Sequence, residues 1–208
     1  MLFRSLATRL VEALTWYWFL RGRFAEARRS LEVLPESPAV GAWLAGFMYL
    51  QGDAGAVAVR DRSLSDLDAM AEWWLGLTGS DAGDLAACLE LLERSLKTFA
   101  AEGSQWGVAA VLVARAKHAH VRADLKALES DASESAAMFR ALGDRWGLMQ
   151  ATGWLGAHAE LVGDFDKAER LHAEGLRMAE ELELWPDVAS ELGWLAWTAI
   201  RQADYASA

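Results

Sequence analysis

The sequence predicts an all-α protein of about six helix–turn–helix units, the last incomplete, and three observations predict it. A Trp-Leu-small phrase, followed six residues later by Gly-Asp-apolar, recurs along the 208 residues. Between the phrases apolar residues fall at 3/4 spacing, as in Leu85, Cys88, Leu89, Leu92, Leu96 and Phe99, which marks a helix buried along one stripe. No stretch alternates convincingly with a period of two, so no strand is expected.

Taken in order, the first unit holds Ala13-Leu14-Thr15 and Gly22-Arg23-Phe24. Its opening stretch, residues 1–20, is apolar but broken by Arg4, Arg9 and Glu12 at helical spacing, so it reads as an amphipathic helix and not as a signal peptide or membrane span. Pro35-Glu36-Ser37-Pro38 breaks the chain before the second unit, which carries Trp43-Leu44-Ala45 and Gly52-Asp53. The third has Trp74-Leu75-Gly76 and Gly83-Asp84-Leu85, and the fourth Ala114-Arg115-Ala116 and Ala123-Asp124-Leu125. The fifth is the clearest copy, with Trp154-Leu155-Gly156, Gly163-Asp164-Phe165 and then Ala168. The sixth has Trp194-Leu195-Ala196 and Ala203-Asp204-Tyr205, and the sequence stops as its second helix should begin. The anchors at 22, 52, 83, 123, 163 and 203 imply one continuous array over residues 1–208, with longer helices in the later units.

The residue types suit their places. Gly163 can take the left-handed backbone that ends a helix, Asp164 is a natural N-cap for the next, and the small residues Gly156 and Ala168 let the two helices of a pair approach. Trp106, Trp146 and Trp185 stand near the starts of units, behind the caps Ser104 and Asp144 and beside Pro186, which suits a first helical turn.

Composition narrows the function. The net charge is -10, although the first 30 residues carry six Arg against two Glu, so most of the surface would repel a polyanion and no direct nucleic-acid contact is expected. The lone Cys88 has no bridge partner, which fits a reducing, cytoplasmic setting, and it falls on a small-residue position where burial is expected. No Gly-rich phosphate loop with its Lys is present. His118 and His120 are two apart on a helix and face different ways, poor geometry for a metal, and no nucleophile stands near a base. The expectation is a protein without catalytic residues, metal or cofactor, and without membrane attachment.

The small residue at 156, the Gly-Asp-aromatic at 163–165 and Ala168 resemble the tetratricopeptide repeat, and the resemblance covers nearly the whole chain. It implies a right-handed solenoid. The units depart from that family's usual length of about 34 residues, and the proline that commonly closes a unit is missing from most copies. The longer units, and phrases such as Phe139-Arg140-Ala141-Leu142-Gly143-Asp144-Arg145-Trp146-Gly147, are similar to the helical-repeat region of bacterial signal-transduction ATPase transcriptional regulators. That resemblance implies a sensing or docking part of a larger regulator.

Eleven tryptophans are more than a core of this size requires. In the tetratricopeptide family the position two before the small residue points into the concave groove, which carries over to Trp43, Trp74, Trp154 and Trp194, with Ala114 interrupting the row. Neighbouring groove positions carry over to Trp16, Trp73, Lys117, His120, Glu160 and Trp197. The implied partner is a protein or peptide segment. The plainer alternative is that the rings fill gaps between helices. Two further readings stay open: pairing with a second copy through the terminal helix, which carries Trp194, Trp197 and Ile200, and enclosure of a small apolar ligand between Trp rings.

Overall fold

A computed structural model describes residues 2–82 and 85–202. These residues form eleven α-helices, one short 3-10 turn and no strand. The Gly83-Asp84 anchor, the Ala203-Asp204-Tyr205 anchor and the second helix of the sixth unit lie outside them. The helices gather into two compact units, residues 1–102 and 103–208.

The first unit contains α1 (Leu2–Leu20), α2 (Phe24–Glu32), α3 (Pro38–Leu50), α4 (Ala56–Ser63), α5 (Ala69–Thr78) and α6 (Leu85–Ala101), with the 3-10 turn Gly79–Ala82 between the last two. Consecutive helices pack together except α4 and α5, and α3 touches α1 and α5 as well, the arrangement expected when helix pairs stack. Ser37 and Asp68 cap α3 and α5, accepting hydrogen bonds from Val40 N and Ala71 N at 3.2 and 2.8 Å. The core is rich in large rings and Leu: Trp73, Trp74, Phe47, Leu31, Leu75 and Leu92 are all fully buried. Cys88 is buried as well, its thiol 4.0 Å from Leu75 O.

The second unit is more regular. It contains α7 (Gln105–Val121), α8 (Leu125–Leu142), α9 (Arg145–Leu161), α10 (Phe165–Glu181) and α11 (Trp185–Arg201). Each packs on the next, and α9 touches α7 and α11 as well. Backbone with positive φ occurs at Gly103, Ala123, Gly143, Gly163 and Glu183, one residue in every twenty. Each such residue ends a helix, and an aspartate or serine follows at four of the five places. Ser104, Asp124, Asp144 and Asp164 then accept from the backbone N–H three residues on, at 3.2, 3.1, 2.7 and 3.1 Å. Every twenty residues the chain thus meets nearly the same turn chemistry, and this holds the helices at 17 or 18 residues.

Cross-helix contacts repeat with the turns. Ser135 Oγ donates to Ala109 O at 2.8 Å, and in the first unit Ser95 Oγ donates to Ala69 O at 2.7 Å across the same 26-residue separation. Forty residues after Ser135 stands Gly175, and there the Glu191 carboxylate from α11 occupies the space: a Cβ on Gly175 would lie 2.8 Å from Glu191 Oε1. The connection tryptophans also have a place. Trp106 and Trp146 stack at 6.3 Å and both meet Phe139 edge-on, and Phe139 in turn lies over Gly147, where a Cβ would clash at 2.3 Å.

Candidate functional site

The expected groove residues divide into two groups with different fates. In the first unit Trp16, Trp43, Trp73 and Trp74 join Phe19 and Phe47 in one aromatic cluster. Trp74 meets Trp43, Phe19 and Phe47 at 4.7, 5.1 and 5.1 Å, and Trp16 meets Trp73 at 5.8 Å. Trp73 and Trp74 have no exposed surface, and Trp16 and Trp43 are half-buried. The expectation that Trp73 and Trp74 present their rings in a groove is therefore corrected: they are core. The cause lies one helix pair back, in Gly46. Trp74 reaches into α3, its Nε1 donating to Trp43 O at 3.3 Å, and a Cβ on Gly46 would lie 1.9 Å from that nitrogen. In the α7–α9 pair the residue at the place of Gly46 is Lys117, which leaves no such slot.

In the second unit the carried-over positions converge on the helices α7, α9 and α11. His120, Glu160, Trp194 and Trp197 line a depression of about 590 Å³, joined by Leu161 and by Arg201 at one end. His120 lies 5.5 Å from the Trp154 ring and meets Trp194 edge-on at 5.7 Å. Burial lowers the His120 pKa, which the nearby Glu160 carboxylate partly opposes. At neutral pH His120 therefore offers a neutral ring. Trp197 is 48% exposed, and Leu161 is exposed beside it, so the floor is apolar and open to solvent. Lys117 is half-buried on α7 and does not line the depression. Glu160 lines the depression with little exposed surface, and Thr198 Oγ1 donates to its carboxylate.

Beneath this surface lies a polar layer that sequence reasoning missed. His172, fully buried on α10, holds Glu191 of α11 at 2.8 Å through Nδ1 and stacks on Trp194. Gln150 of α9 donates to Asp187 at 2.6 Å. Desolvation pushes the Asp187 pKa up to about 6, with the Glu191 charge adding to it and the Gln150 hydrogen bond opposing it. Three side-chain pairs, Gln150–Asp187, His172–Glu191 and Glu160–Thr198, thus fasten α11 to α9 and α10. The one signal for them in the sequence is glycine: Gly153, Gly156 and Gly175 each stand where a Cβ would press on Glu191 or His172, at 2.6 to 2.9 Å.

Among the described residues no three His, Cys, Asp or Glu side chains gather as metal ligands. No helix among the described residues is long and apolar enough to cross a membrane.

Fold and site together define an all-helical protein of stacked helix pairs, the second unit of which carries an aromatic depression. Among solved structures the chain is similar to BtubC (BKLC) from P. vanneervenii, with a TM-score of 0.60 and 17% identity, over 98% of this chain and 84% of that one. At that identity the likeness shows the fold alone, an all-helical arrangement consistent with a helical repeat. No family model and no curated protein matches the sequence.

Proposed function

We infer that the chain is a non-enzymatic binding module of the tetratricopeptide type, a right-handed array of about six units, that docks a protein or peptide segment on its second unit. The observation that carries this reading is the exposed aromatic depression on α7, α9 and α11, where His120, Trp194 and Trp197 meet Leu161 and Arg201. Aromatic and Arg side chains of this kind supply most of the binding energy when a partner buries them, often ~2 kcal/mol or more each. The polar layer behind the depression keeps the rings in place, which lowers the entropy lost on binding. In this reading the module works in the cytoplasm as the sensing or docking part of a larger transcriptional regulator, as its longer units suggest.

The reading is tested by selecting peptides from a random library on the wild-type chain. The enriched peptides should lose about tenfold or more in affinity for Trp197→Ala and for His120→Ala, both with unchanged helical circular dichroism. Peptides that bind the variants as well as the wild type would place docking elsewhere.

Pairing with a second copy is favoured by one observation. Trp185, Leu192, Trp197 and Ile200 of α11 are between 44% and 65% exposed, an apolar row on a single helix. Light scattering at two concentrations, on wild type and on Leu192→Glu, separates the readings: only self-association gives a mass that the variant halves.

A further inference from the structure

Around the Pro35–Pro38 break the first unit leaves an opening that its own side chains do not fill. The helices flanking α3 are short there: α2 has 9 residues and α4 has 8, against 17 for α6. Where their ends meet the first half of α3 a cleft of about 430 Å³ remains. Its floor is apolar, made by Leu31, Val40, Leu44 and Val59.

The two walls carry opposite charge. The end of α2 and the break contribute Glu32 and Glu36, while α4 and the turn after it contribute Arg62 and Ser65. Glu32 is engaged by Arg28 at 2.8 Å. Among the described residues Glu36 and Arg62 have no ion-pair or hydrogen-bond partner, although both border the same cleft.

We propose that this cleft binds a small zwitterion whose ammonium and carboxylate are held apart by an apolar body, as in a dipeptide of aliphatic residues. The carboxylate meets Arg62 and the Ser65 hydroxyl, the ammonium meets Glu36, and the aliphatic side chains cover Leu44 and Val59. The alternatives fit worse. An anion alone would face Glu36, and a cation alone would face Arg62. A neutral apolar molecule would strip water from both charges without replacing it. The volume lies within the range of sites that enclose a small ligand, roughly 300–1,000 Å³. The proposal goes beyond the docking of a protein segment and uses none of its residues, so either can fail alone.

The test is calorimetric titration of the full chain with leucyl-leucine, glycyl-glycine, N-acetyl-leucyl-leucine and leucyl-leucinamide. Leucyl-leucine should bind at one saturable site, and each of the other three should be weaker by about tenfold or more, because each lacks the apolar body or one charge. Arg62→Gln should weaken leucyl-leucine but leave the amide unchanged, and Glu36→Gln should do the same with respect to the acetyl derivative. Ser65→Trp, at the mouth, should abolish binding. Glu36, Arg62 and Ser65 are all exposed, so these variants should keep the wild-type melting temperature. Absence of saturable leucyl-leucine binding, equal affinity for glycyl-glycine, or affinity that none of the substitutions moves would overturn the proposal.

Discussion

The imidazole of His172 lies parallel to the indole of Trp194, with 5.4 Å between centroids and 4° between planes, while its Nδ1 stands 2.8 Å from the Glu191 carboxylate. One residue of α10 therefore grips two residues of α11 that are three positions apart and share a helix face. Glu191→Ala leaves the His172 ring buried without that partner, and the expected loss is about 1–3 kcal/mol. Glu191→Gln keeps an oxygen and an N–H in place and should lose less. Urea unfolding of both variants measures this, and equal losses would mean that Glu191 acts by filling space rather than by its hydrogen bond.

Asp187 makes the stability of the second unit depend on pH in an uncommon direction. Its folded pKa, about 6, lies above the ordinary carboxylate value of 3.8, so the native state binds the extra proton. A raised carboxyl pKa stabilises the fold below about pH 4, and that contribution is lost as pH rises through about 6. Asp187→Asn should remove this slope and be more stable than wild type near neutrality. Urea midpoints for both proteins between about pH 4 and pH 7 should converge at the acid end and separate at the other; parallel curves would contradict the assignment.

The tryptophans should separate into two classes by stability. Trp74 has no exposed surface and fits against Gly46, so Trp74→Ala should cost about 3–5 kcal/mol. Trp197 is half-exposed, and Trp197→Ala should cost less than about 1 kcal/mol. Thermal unfolding followed by far-ultraviolet circular dichroism decides between this order and its reverse.

In the second unit two left-handed turn positions carry a side chain other than glycine's hydrogen. Ala123 and Glu183 have φ of 54° and 56°, where the equivalent residues Gly163 and Gly143 have 82° and 69°. Ala123→Gly and Glu183→Gly should each relieve strain and stabilise by about 0.5–1 kcal/mol, whereas Gly143→Ala should destabilise by a similar amount. A Cβ at Gly143 meets nothing within 4 Å, so backbone conformation alone is being read there.

Much of this fold was legible because it depends on neighbours in sequence. Gly143-Asp144 and Gly163-Asp164 announce a helix end and a cap, and both form as expected. The fate of the rings was not legible from their own register, since Trp74, Trp154 and Trp194 hold equivalent positions. What buries Trp74 is a missing side chain at Gly46, in the preceding helix pair. The polar layer of His172, Glu191 and Asp187 was hidden for the same reason: three helices must meet before those groups become partners, and no spacing along one chain segment records that meeting. The cleft beside Pro35–Pro38 was visible only as a break, because a void is a property of helices that end too soon.

The twenty-residue rhythm of turns in the second unit has a consequence for how such a chain can change length. Removing residues 125–164 would join Asp124 to Phe165, a capping aspartate to the first residue of a helix, as Asp124–Leu125 and Asp164–Phe165 already are. Duplicating the same segment would create that junction once more. Recombination between gene segments offset by one helix pair would therefore yield a protein in which every turn and cap is intact, with the array longer or shorter by a whole step.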